Sequence, residues 1–107
     1  MQEYDIKKGH FKEIEGNKLE KLMKETFGSV KSEGGFLVSS YGALAPIKVR
    51  IKSKKSMEIE TVMKTDVDNT TASDTIKLYN DFLLAATGFT SKERKRRLNQ
   101  KAKKGTL

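Results

Sequence analysis

The chain has 107 residues, with 22 Lys+Arg against 14 Asp+Glu (net +8), 36% hydrophobic residues, no Cys and no Trp. That length supports one small domain with a single core. The lack of Cys excludes thiol catalysis, zinc ribbons, iron–sulfur clusters and disulfide staples.

Tyr4 and Ile6 alternate with polar neighbours and predict a first strand, followed by a turn at Lys8-Gly9-His10. Asn17 with Glu20 three positions on reads as a capping box. The helix it opens carries Leu19, Leu22, Met23 and Phe27 on one face, and Gly28 stops it in the left-handed conformation. From Val30 the period changes to two. Gly34-Gly35 is a hairpin signal between residues 30–33 and 36–41. The connection from Tyr41 to Pro46 is mostly apolar, and reads as a strand corner tucked on the core or as an exposed binding lip.

Ile47, Val49 and Ile51 then alternate with Lys48, Arg50 and Lys52. Beyond a turn at Lys54–Ser56, Met57, Ile59, Thr61 and Met63 alternate with Glu58, Glu60, Val62 and Lys64. A turn there places Lys52 opposite Glu58 and Arg50 opposite Glu60, so cross-strand ion pairs neutralise the basic stripe. A polar loop from Asp66 leads to Thr71, which with Asp74 opens a second helix. Ile76, Tyr79, Leu83 and Ala86 form one apolar stripe on it, and Leu78, Phe82 and Ala85 a second. Gly88 ends this helix, Phe89 is placed to pack back on it, and Thr90 with Glu93 caps a third.

The switch in period predicts an α+β fold of order β-α-β-β-β-β-α, a two-layer arrangement of antiparallel sheet with helices on one face, plus a basic C-terminal helix. The core domain is expected over residues 1–89, built on Leu22, Met23, Phe27, Val38, Ile47, Val49, Ile51, Ile59, Ile76, Tyr79 and Leu83. Residues 90–107 form a tail, helical or partly disordered, since only Leu98 and Ala102 offer it apolar contacts.

The tail holds most of the excess charge. Ser91–Lys104 contains Lys92, Arg94, Lys95, Arg96, Arg97, Lys101, Lys103 and Lys104 against Glu93, which leaves 14 basic and 13 acidic residues elsewhere. A concentrated cationic segment attracts nucleic acid by releasing condensed counterions from phosphates. Arg94, Arg97, Lys101 and Lys104 recur at spacings of three, four and three, one helical face able to follow a phosphate backbone. The expectation is a monomeric, cytoplasmic, non-catalytic module that binds RNA or DNA without sequence preference through these eight residues. An acidic protein partner uses the same charge and is the alternative.

Other features predict less. His10 is the only histidine, has no evident nucleophile near it, and reads as a turn or capping residue. Asp66, Asp68, Asn69 and Asp74 begin like a calcium loop, but Thr71 and Lys77 stand where such a loop needs Gly and Glu. No enzyme activity, cofactor or metal is therefore expected. The longest apolar run, Phe82–Ala86, is too short to span a bilayer, so no membrane association is expected.

Three segments carry a resemblance. Met1-Gln2-Glu3-Tyr4 through Lys8-Gly9-His10, Ser39-Ser40-Tyr41-Gly42-Ala43-Leu44, and Ala86-Thr87-Gly88-Phe89-Thr90-Ser91-Lys92-Glu93-Arg94-Lys95 together resemble an orphan family of uncharacterised small archaeal proteins. The resemblance implies a two-layer α/β sandwich similar to one half of the TATA-box-binding protein. It implies no assigned activity, catalytic residue or cofactor, and a shared fold does not transfer function. Wedge aromatics of the kind a minor-groove-binding sheet needs are not seen in the sequence.

Overall fold

The computed structural model describes the backbone of residues 2–105 and the side chains of residues 2–100. Its elements are β1 (Gln2–Asp5), a 3-10 turn (Phe11–Glu13), α1 (Lys18–Phe27), β2 (Lys31–Glu33), β3 (Phe36–Tyr41), β4 (Leu44–Ser53), β5 (Ser56–Met63), α2 (Asn69–Thr87) and α3 (Ser91–Gly105). The strands form one antiparallel sheet in the order β1-β5-β4-β3-β2. The last four make a meander, and α1 carries the chain from one sheet edge to the other. The α+β order is the expected one.

Strict alternation sorts the sheet into two faces. Ile47, Val49, Met57 and Ile59 are buried on the face that meets the helices. Leu19, Met23 and Phe27 of α1, at four-residue spacing, and Phe82, Leu83 and Ala86 of α2 complete the core with Ile6, Ile14 and Leu44. Two members of the expected core fall elsewhere. Ile76 is 48% exposed although it shares a helical stripe with buried Leu83. Two turns nearer the start of α2, the position facing inward is taken by Thr75. Val38 is buried, but its register partner is Lys48, so it lies on the opposite face of the sheet from Ile47 and Val49.

That opposite face is charged and internally neutralised, in a register two residues from the expected one. Arg50 lies opposite Glu58 and Lys48 opposite Glu60. Arg50 donates to Glu58 and sits 4.7 Å over the Phe36 ring. Lys52 Nζ reaches across to Glu3 Oε2 at 2.8 Å, and that carboxylate holds the ammonium pKa above its ordinary value. The difference arises at the turn. Ser53 pairs with Ser56 around Lys54-Lys55, and the register shifts between Ile51 and Ser53, a slip that alternation alone does not encode.

The caps show which local signals hold. Gly28 and Gly88 both end their helices with positive φ, 89° and 80°. Asn17 precedes α1 without a side-chain cap. Helix α2 starts earlier than Thr71 predicts, because Asp68 is its cap: Thr71 N–H donates to Asp68 Oδ1 at 2.8 Å. The Thr71 hydroxyl, with that N–H beside it, holds the Asp68 carboxyl below its ordinary pKa.

The Tyr41–Pro46 connection is a corner docked on α2. Ala43 and Leu44 are buried, and Ala43 N–H donates to Thr75 Oγ1 at 3.0 Å, while that hydroxyl donates to Thr71 O at 2.6 Å. Gly42 lies between them at φ +51°, where an added Cβ would stand 2.2 Å from Thr75 Oγ1. Gly42→Ala is therefore expected to cost about 2 kcal/mol through left-handed strain and displacement of the threonine. Urea unfolding checks this; a loss below about 0.5 kcal/mol would show that the corner moves freely.

Candidate polyanion interface

Helix α3 starts as its sequence predicts. Thr90 N–H donates to Glu93 Oε1 at 3.0 Å, and Glu93 N–H donates to Thr90 Oγ1 at 3.2 Å, a closed capping box. The Thr90 N–H, then its hydroxyl, with Lys7 and Arg96 nearby, hold the Glu93 carboxyl below its ordinary pKa.

Arg94 follows one residue later and is buried, at 5% exposure. Its guanidinium donates to Phe89 O at 2.6 Å and to Asn80 Oδ1 at 3.1 Å. Tyr79 and Tyr4 lie beside it. Burial, reinforced by a hydrogen bond with Tyr4, pushes the Tyr79 hydroxyl pKa far above the phenol range. Desolvation draws the Arg94 pKa down from its very high ordinary value. Arg97 Nε donates to Asp5 Oδ2 at 2.8 Å, and its guanidinium lies 4.7 Å over the Phe89 ring. The seam lined by Tyr4, Asp5, Phe89, Arg94, Arg97 and Leu98 retains only about 10 Å³ of free space, no more than one water needs.

The eight expected contact residues therefore divide. Arg94 is spent on holding α3 to α2 and to the connection between them, and does not face a ligand. Arg97 is fixed by Asp5 and Phe89 but keeps 47% of its side chain exposed. Lys92, Lys95 and Arg96 are exposed, and their spacings of three and four put them on one outer side of the helix. Lys101, Lys103 and Lys104 lie on the helical backbone, with their side chains outside the described residues. A phosphate-facing stripe through Arg94 thus fails, because two polar acceptors at the helix base capture that guanidinium.

The fold also gathers charge that looks neutralised in the sequence. Ile6 N–H donates to Lys55 O at 2.8 Å, which seats the β4–β5 turn beside the segment after β1. Lys7 N–H donates to Thr87 O at 2.8 Å, and the His10 ring Nε2 lies 2.7 Å from Ala85 O. Both contacts satisfy carbonyls at the α2 C-terminus that have no helical partner, so His10 is a capping residue. Between these segments and α3 opens a groove of about 880 Å³. Its cations are Lys7, Lys8, Lys12, Lys54, Lys55 and Arg97; its acids are Asp5, already held by Arg97, and Glu15; Ile6, Phe11 and Phe89 supply apolar surface. No sequence motif marks this groove. The signals were two Lys-Lys pairs, Lys7-Lys8 and Lys54-Lys55, each at a turn and 47 residues apart.

Among the described residues, no group of three or more His, Cys, Asp or Glu is arranged to hold a metal ion, and no helix is long and apolar enough to cross a membrane. No curated protein matches the chain in sequence. The NMR solution structure of the hypothetical protein TA0095 from Thermoplasma acidophilum is similar, at 26% identity and a TM-score of 0.60, covering 92% of this chain and 97% of that one. The model of a domain of unknown function, DUF5611, matches residues 1–100, which takes in every strand and most of α3, and the chain belongs to that family.

Proposed function

We propose that this chain is a non-catalytic binding module that holds RNA or DNA, without sequence preference, on the outer side of α3 and the groove at its base. The observation that carries this reading is convergence: six cations from three sequence-distant segments line one groove, and Lys92, Lys95 and Arg96 stand exposed on α3, which also lends the groove Arg97. Polyanion binding rewards that arrangement because each neutralised phosphate releases counterions. The non-catalytic part is supported by His10, whose ring is engaged with the Ala85 carbonyl rather than with a nucleophile.

The test uses the full chain, since α3 is part of the packed structure. Fluorescence anisotropy with a labelled duplex is expected to show a log–log salt slope of roughly −3 to −5, for about four to six phosphates. The triple variant Lys92→Glu, Lys95→Glu, Arg96→Glu is expected to weaken binding by about 100-fold at low salt and to make the slope shallower by about three. Absence of wild-type binding at low salt, or equal binding by the variant, overturns the reading. Partners that survive nuclease treatment in a pull-down would favour docking on an acidic protein instead.

A further inference from the structure

We propose that the groove at the base of α3 takes an unpaired nucleotide segment, with a base against Phe11 and its phosphates on the surrounding lysines, so that the protein prefers single-stranded to duplex nucleic acid. The proposal rests on the nucleic-acid reading above and names the substrate class for it. Three observations lead to it. The groove is concave, and its apolar surface includes the half-buried Phe11 and Phe89 rings. Arg97 already covers Phe89 at 4.7 Å, which leaves Phe11 as the ring for a ligand. Lys7, Lys8, Lys12, Lys54 and Lys55 line the same groove.

The walls are fixed before any ligand arrives. The Ile6–Lys55 and Lys7–Thr87 backbone hydrogen bonds tie both lysine pairs to the sheet and to α2, so binding orders only side chains. A duplex keeps its bases stacked inside and offers the groove nothing but phosphates at the rim. An unpaired strand offers a phosphate and a planar base together, which is the combination single-strand-binding surfaces use. An acidic peptide matches the charge but has no use for the aromatic floor.

Affinities for a single-stranded oligonucleotide and a blunt duplex of equal length, measured at one salt concentration, supply the first test. Wild type is expected to favour the single strand by about tenfold, within the range of one stacked base. Phe11→Leu, which keeps the bulk and removes the ring, is expected to abolish that preference. Should the leucine variant fold poorly, NMR on the wild-type protein decides. Titration with a uridine pentanucleotide is expected to move the Phe11 ring protons upfield together with the Lys54 and Lys55 amides, and polyglutamate is not.

If the duplex binds as tightly as the single strand, or the Phe11 resonances stay put, the inference fails while the general reading stands. Polyglutamate producing the same shifts would overturn it in favour of an acidic protein partner. If no nucleic acid binds at low salt, the general reading fails first.

Discussion

Phe82→Ala is expected to remove about 3–5 kcal/mol of stability, out of a total of roughly 5–15 kcal/mol for a domain of this length. Phe82 is 1% exposed, and its ring centroid lies 5.1 Å from that of Phe27 at a tilt of 54°. The pair joins α1 to α2 within the core. Truncation leaves a void that two helices and a sheet cannot all close, because each is held at its ends by other contacts. The Gly28 and Gly88 caps hold two helix ends and the Thr75 corner holds a third point. Urea unfolding should show a large fall in midpoint at nearly unchanged slope. A loss below about 1 kcal/mol would mean that α1 settles into the space.

Arg94→Ala is expected to cost roughly 3 kcal/mol, from two charge-assisted hydrogen bonds each worth about 1.5–3 kcal/mol with partial compensation by water. The Phe89 carbonyl and the Asn80 side chain both lose their donor. Arg96→Ala, two residues away on the exposed side, is expected to change stability by less than about 0.5 kcal/mol. The same pair of variants should reverse order in nucleic-acid binding, provided the Arg94 variant is assayed where it is folded. Equal stability losses for the two would mean that α3 is not held by this guanidinium.

The contrast between these arginines marks what a sequence of this kind discloses. Features written within a few residues were legible: the left-handed glycines at Gly28 and Gly88, the Thr90–Glu93 box, the two-residue Gly34-Gly35 turn and the alternation of Ile47 through Ile51. Each depends on the backbone's own steric and hydrogen-bonding needs. Features set by partners far along the chain were not. Arg94 and Arg97 read as free charges because Asn80 and Asp5 are 14 and 92 residues from them. Ile76 read as core because helical spacing reports direction around the axis and not position along it. The β4–β5 register read two residues out because the irregularity sits at the turn itself. The groove cations were invisible for the same reason: Lys7-Lys8 and Lys54-Lys55 become neighbours only when β1 pairs with β5.

That pairing has a consequence for how the molecule assembles. Strand β1 is the first element in the chain, yet its partners are residues 56–59 of β5, and its Asp5 is clasped by Arg97 of α3. Both closures span long loops, and such contacts gain nothing until the intervening chain is in place. In synthesis from the N-terminus, β1 must wait through the whole meander before its edge is covered. The α1–β3–β4–β5 region, tied by short connections, can order first. The Asp5–Arg97 ion pair joins β1 to α3 across 92 residues, so it forms only after the segments between them are in place.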